Sequence, residues 1–159
     1  MEFGENAPEI TLVDTDKNSV SLSDFKGKNV VLLFFPLAFT STCTVELCNM
    51  RDNISVYNNL DAEILGISVD SFYTLGKYKE EQHLNFKLLS DFNKDASKAF
   101  DVLYETFGPF EMKGVSKRAV FIIDKEGFIQ HAEVCNNPAD LPDFGAIQSA
   151  LKALNQKAA

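Results

Sequence analysis

A chain of 159 residues, 45% of them hydrophobic, has material for one compact core and too little for two, because each half would fall in the size range where domains become marginal. We therefore expect a single domain over residues 1–159. The acidic balance, 15 Lys and Arg against 23 Asp and Glu for a net charge of −8, opposes nucleic-acid backbones and anionic membrane surfaces. The longest apolar run, from Val30 through Pro36 to Phe39, is far shorter than the roughly 20 residues of a membrane span. The first residues lack the basic-then-apolar pattern of a secretory leader, so a cytoplasmic protein is expected, without nucleic-acid or membrane partners.

In chain order, Ile10 to Val13 and Val20 to Leu22 flank a polar Asp14-Thr-Asp-Lys-Asn18 stretch and predict an N-terminal hairpin. Val30 to Phe35 is a continuous apolar run, the pattern of a strand covered on both faces. From Thr42 to about Leu60, Leu47, Met50, Ile54 and Tyr57 recur at helical spacing and predict one helix. Ile64 to Val69 predicts another central strand, ending in Asp70-Ser71, an N-cap pair for a helix carrying Phe72, Leu75 and Tyr78. Phe86 to Leu89 predicts a short strand and Ala96 to Leu103 a short helix. Glu105 to Lys117, with Gly108-Pro109 and Gly114, is the most loop-like interior stretch, of the kind that often carries binding groups. Ala119 to Ile123 is a further central strand, joined through Lys125-Glu-Gly127 to a second hairpin arm at Phe128 to Val134. Phe144, Ile147, Leu151 and Leu154 mark a C-terminal helix. This order predicts an α/β fold: a thioredoxin-like sandwich with a mixed central sheet, helices on both faces and the N-terminal β-hairpin as an extension.

Three cysteines, Cys43, Cys48 and Cys135, are too few and odd in number for a disulfide framework, leaving core filler, metal ligands or reactive thiols. Cys43 falls in the first turn of the predicted helix, where unpaired backbone N–H groups and the helix dipole favour an anion. A thiol there loses its proton more readily than a free cysteine. Free cysteines are also commonly small buried hydrophobes, and position alone leaves both readings open. His83 and His131 show no ligand spacing with the cysteines, and Cys43 with Cys48 lacks the second pair of a usual zinc site. We expect no metal and no bound cofactor.

Pro36-x-x-x-Thr40-x-x-Cys43, followed by Glu46, resembles the signature of the peroxiredoxins. The likeness extends to Gly4-Glu-Asn-Ala-Pro8, Leu22-Ser-Asp-Phe-Lys-Gly-Lys28 and Arg118-Ala-Val-Phe-Ile-Ile-Asp124. The resemblance implies a thioredoxin-like fold with an N-terminal extension and a thiol peroxidase acting on hydrogen peroxide and organic hydroperoxides. In that activity Cys43 is the nucleophile and becomes a sulfenic acid. The resemblance also assigns Thr40, Arg118 and the Cys43 backbone N–H as donors around the peroxide, and gives Pro36 the task of shaping the pocket. Arg118, by itself an ordinary surface arginine, would there favour the thiolate and present a planar set of donors that lysine lacks. Glu46 shares a helix face with Cys43 and opposes its ionisation. The resemblance makes Glu46 the orienting partner of Arg118; a plain first-turn carboxylate is the alternative.

Cys48 matches the resolving position of the peroxiredoxin Q, or bacterioferritin comigratory protein, group. Five residues of α-helix rise about 7.5 Å, beyond the roughly 7 Å between Cα atoms that a disulfide tolerates, so a Cys43–Cys48 bond requires the first turns to unwind. Phe34-Phe-Pro-Leu-Ala-Phe-Thr40 is more similar to the alkyl hydroperoxide reductase E group, in which one-cysteine cycles occur, so attack by an external thiol or a bond with Cys135 stays open. Cys135 matches no catalytic position and reads as structural. Further implications are a thioredoxin-like protein or low-molecular-weight thiol as reductant and a homodimer, with Phe39, Phe107 and Phe110 as candidate rim or dimer contacts. Two other readings are a peroxide-sensing relay that oxidises a partner and a disulfide exchanger, the latter weakened by four residues rather than two between Cys43 and Cys48.

Overall fold

The continuous apolar runs form the middle of a seven-stranded sheet in this computed structural model, which describes residues 4–158. The strands are β1 (Thr11–Asp14), β2 (Ser19–Ser21), β3 (Asn29–Phe34), β4 (Ala62–Ser68), β5 (Lys87–Ser90), β6 (Ala119–Ile123) and β7 (Ile129–Val134). They lie in the order β2-β1-β5-β4-β3-β6-β7. The helices are α1 (Ser41–Asp52), α2 (Ile54–Asn59), α3 (Phe72–Glu81), α4 (Asp95–Ala99) and α5 (Phe144–Ala158), with a 3₁₀ turn at Leu22–Phe25.

β3 is buried along its whole length because it lies between parallel β4 and antiparallel β6, with Val31 opposite Ile64 on one side and Ile122 on the other. Its alternate side chains divide the core. Val31, Leu33 and Phe35 pack with Leu47 and Met50 of α1, Tyr57 of α2, Leu75 and Tyr78 of α3, and Ile147 and Leu151 of α5. Val30, Leu32 and Phe34 pack on the opposite face with Ile10, Leu12, Ala96, Phe100 and Phe121. Full burial of each such side chain contributes roughly 1.5–3 kcal/mol relative to exposure. Helices thus cover both faces, but unequally: α1, α2, α3 and α5 share one, and α4 lies on the other. The N-terminal hairpin continues the sheet, because β1 pairs antiparallel with β5.

The expected single helix from Thr42 to Leu60 is two. α1 stops at Asp52, and Asn53 (φ −109°, ψ 18°) turns its Nδ2 back to donate to the Asn49 carbonyl at 2.8 Å. This side-chain competition with backbone pairing is what makes Asn a poor interior helix residue. The apolar period crosses the break undisturbed, which is why it predicted no interruption. The expected helix from Ala96 to Leu103 also ends early, at Ala99. Asp101 adopts φ 55°, with Asp101 N–H on Lys98 O and Val102 N–H on Ser97 O, the Schellman stop.

Glu105 to Lys117 is less open than a loop. It folds back on itself through bridges at Leu103–Ser116 and Phe107–Met112, and Lys117 N–H donates to Val102 O. Ser116 Oγ then donates to Phe35 O at 3.1 Å, delivering the chain into β6 beside the end of β3. Among the described residues no helix is long and apolar enough to cross a membrane.

Candidate active site

The end of β3 runs directly into the segment that starts α1. Pro36 is buried, and Phe39 takes a left-handed φ of 65°, a conformation that costs a non-glycine residue roughly 1–2 kcal/mol. The segment is held by Asp70, whose Oδ2 accepts from Ala38 N–H at 2.8 Å and from Ser68 Oγ at 2.6 Å. Of the expected cap pair, Ser71 alone caps α3, accepting from Thr74 N–H; Asp70 is the anchor of this segment, a role that the sequence reading missed.

Thr40 is the N-cap of α1, but its side chain makes no capping bond. Its hydroxyl donates instead to Leu37 O at 2.7 Å. A capping oxygen ordinarily accepts from the second or third helical N–H, and Cys43 is the third residue of α1. The cap therefore leaves the positive end of the helix available to an anion at Cys43. Thr40 itself is exposed, and among the described residues its recorded partners are Leu37 and Thr44, not Cys43.

Cys43 is 1% exposed, Glu46 0% and Arg118 1%. The fold brings these three together across more than 70 residues of sequence: Arg118 Nη1 lies 3.3 Å from Cys43 Sγ and 2.8 Å from Glu46 Oε1. Arg118 Nη2 donates to Pro138 O at 2.7 Å, an anchoring carbonyl with no signal in the sequence. Burial works against the Arg118 charge, but the Glu46 and Cys43 groups more than offset it and hold the guanidinium firmly protonated. Burial pushes the Glu46 carboxyl up to about 7 in spite of Arg118. Among the described residues Glu46 Oε2 and Arg118 Nε have no hydrogen-bond partner.

Cys48, further along the uninterrupted α1, is half-buried, with Sγ 3.6 Å from Gln82 Oε1 at the end of α3. Cys135 is buried and its amide donates to Arg118 O at 2.9 Å. Burial, with Glu133 and Glu46 adding repulsion, pushes its thiol up to about 11. All three cysteines are free thiols. Phe39 packs on the Tyr78 ring at 5.0 Å, Phe107 on Tyr104 at 5.3 Å, and Phe110 is 85% exposed.

Residues 3–132 match the model of the AhpC/TSA family. The chain belongs to that family and is a peroxiredoxin. It is 43% identical over 129 residues to peroxiredoxin Bcp of Bacillus subtilis (strain 168), covering 80% of this chain and 81% of the relative. It is 37% identical over 132 residues to peroxiredoxin Bcp of Escherichia coli (strain K12), covering 82% and 84%. The crystal structure of the reduced 2-Cys peroxiredoxin of Plasmodium vivax superposes with a TM-score of 0.86 at 31% identity, covering 99% of this chain and 84% of that one. This peroxiredoxin is therefore a thiol-dependent peroxidase with a thioredoxin-like fold, which takes a peroxide as substrate and a thioredoxin-type reductant. The relatives favour the peroxidase over a sensing relay.

Proposed function

We propose that Cys43 is the peroxidatic thiolate and Cys48 the thiol that resolves it, in a cycle that reduces hydrogen peroxide and organic hydroperoxides. The observation that carries this reading is the 3.3 Å approach of Arg118 Nη1 to Cys43 Sγ in the first turn of a helix. The thiolate attacks one peroxide oxygen, the S–O bond forms as the O–O bond breaks, and water or an alcohol leaves Cys43 as a sulfenic acid. Negative charge moves from sulfur to the departing oxygen. A fixed guanidinium and the uncapped Cys43 N–H follow that charge, and they accelerate the step to the extent that they bind the transition state better than the bound peroxide. Thr40 adds a donor when its hydroxyl turns from Leu37 O, Pro36 shapes and shields the pocket, and Glu46 orients Arg118.

In the second half of the cycle the first turns of α1 unwind and the Cys48 thiolate attacks the Cys43 sulfenic sulfur, forming a disulfide and releasing water. The half-exposed position of Cys48 supports this role. A thioredoxin-like dithiol or two low-molecular-weight thiols then restore both cysteines, in keeping with a reducing cytoplasmic setting. The chain acts as one domain over residues 1–159, a reading supported by the single sheet that joins β1 to β7. It forms a homodimer, for which the exposed Phe110 and Met112 offer an apolar contact; sedimentation of a Phe110→Asp variant tests this, the expected outcome being a shift to monomer.

Stopped-flow peroxide consumption with intact-mass readout tests the assignments. Only Cys43→Ser should lose the peroxide-reacting step; loss confined to Cys48→Ser would reverse the two roles. Peptide mapping without reduction should find a Cys43–Cys48 disulfide after one equivalent of peroxide, whereas a lasting Cys43 sulfenic acid beside free Cys48 would sink the resolving role.

A further inference from the structure

Among the described residues three carboxylates are buried, and they are satisfied very differently. Asp91 accepts from Ala96 N–H, Ser97 N–H and Ser97 Oγ, and Asp14 from Asp16 N–H and Asn18 N–H with Lys87 Nζ at 3.5 Å. Glu46, at 0% exposed, accepts one hydrogen bond through Oε1 among the described residues, and its Oε2 finds no partner among them. An ionised carboxylate offers about four acceptor sites, and one left largely unpaired in the interior is strongly disfavoured. The same Arg118 Nη1, which carries two N–H groups, also reaches Cys43 Sγ, so one positive charge serves both acids.

The enclosure therefore holds one cation for two acids. Both acids ionised would leave a buried excess negative charge; one proton between them leaves the site neutral. We propose that Glu46 takes the proton that Cys43 gives up, so that the resting site holds a thiolate, a guanidinium and an un-ionised carboxylic acid, and then releases that proton to the oxygen leaving the peroxide. This rests on Cys43 being the nucleophile. The balance closes within the site. The thiol passes its proton to the carboxylate; the thiolate electron pair forms the S–O bond as the O–O bond breaks, oxidising sulfur and reducing the peroxide to RO⁻. RO⁻ takes the Glu46 proton and leaves as ROH, and Glu46, now ionised, pairs with Arg118 alone beside a neutral sulfenic acid. No proton is drawn from solvent.

The surroundings agree. Burial sets the Glu46 carboxyl near 7, with Arg118 opposing that rise and Glu133 of β7 adding to it. The other ionisable groups facing it are the Cys135 thiol beyond β7, pushed up to about 11, and the Tyr78 phenol of α3, pushed up to about 12, both chiefly by burial. Neither competes for the proton near neutral pH.

Infrared spectroscopy of the full-length reduced protein, titrated across the neutral range, reads this directly through the carbonyl stretch of an un-ionised carboxyl group. The band is expected near neutral pH, to vanish when one equivalent of hydrogen peroxide oxidises Cys43, and to be missing in Glu46→Gln. In Cys43→Ser, where Arg118 serves the carboxylate alone, its titration is expected at lower pH. Glu46→Gln should also slow Cys43 oxidation by roughly 10²-fold, the low end of what proton transfer in the transition state contributes, and remove the decline in that rate as Glu46 ionises at higher pH. A reduced protein without the band, or a band whose titration is the same in Cys43→Ser, overturns the proposal. Should Glu46→Gln not fold, the wild-type oxidation difference and Cys43→Ser still decide. If Cys43 is not the nucleophile, intact mass shows peroxide oxidising another residue; if only the proton store is wrong, Cys43 oxidises normally with no band change.

Discussion

Cys43 and Cys135 are hidden to nearly the same degree, 1% and 8% exposed, and both touch Arg118. They touch opposite ends of it. The Cys43 sulfur meets the guanidinium, whereas at Cys135 it is the backbone amide that meets the Arg118 carbonyl. Cys43 stands at the uncapped positive end of α1; the Cys135 thiol faces Glu133, Glu46 and Asp140. Two buried thiols thus stand in fields of opposite sign: Cys43 meets a guanidinium, whereas burial and the neighbouring carboxylates together push Cys135 up.

The widest gap between the two should appear in reactivity. With its thiol near 11, Cys135 is ionised to roughly one part in 10⁴ at pH 7. Stoichiometric peroxide followed by peptide mass spectrometry should therefore find oxygen on Cys43 and less than about 1% on Cys135. Appreciable Cys135 oxidation in folded protein would erase the distinction. Taking the guanidinium away should pull Cys43 toward Cys135: Arg118→Met is expected to slow the first step by about 10²–10³-fold in stopped-flow, the range seen when one fixed donor to developing charge is lost. Arg118→Lys should recover only part of it, because a single ammonium cannot reproduce the fork that spans Cys43, Glu46 and Pro138.

A smaller effect lies in stability. Glu46 titrates near 7 in the fold against an ordinary 4.5, so between these values the folded chain keeps a proton that the unfolded chain has released. Its contribution is fully present below about 4.5, is lost as pH rises toward 7 and is level beyond. The loss is on the order of 3 kcal/mol, and thermal melts of Glu46→Gln should show a flatter pH slope in that window than wild type. An equal slope would place Glu46 outside the account. The mildest change should be Cys135→Ala, with the first step within about twofold of wild type and a stability cost near 1 kcal/mol by denaturant melts.

Much of this fold is legible in the sequence because its strongest signals are local. β3 and β6 are built on continuous apolar runs, and Cys43 and Glu46 three residues apart must share a helix face. The break at Asn53 is illegible because Met50, Ile54 and Tyr57 keep their period across it, and packing on the sheet tolerates a hinge that periodicity does not register. The site divides in the same way. The resemblance pointed to Cys43, Glu46 and Arg118, but the complete burial of Glu46, its bare Oε2 and the Pro138 carbonyl under Arg118 depend on chain segments far apart in sequence. The Thr40 hydroxyl, expected to face the substrate, is spent on Leu37 O, a choice between neighbouring acceptors that no motif encodes.

The bond from Ala38 to Asp70 ties the approach to α1 to the residues that follow β4, not to the helix itself. In the proposed Cys43–Cys48 cycle the opening turns of α1 would come undone to let two sulfurs meet above a bed that this bond keeps fastened. Each round of reduction would then have only a short coil of backbone to rewind onto a template already in place.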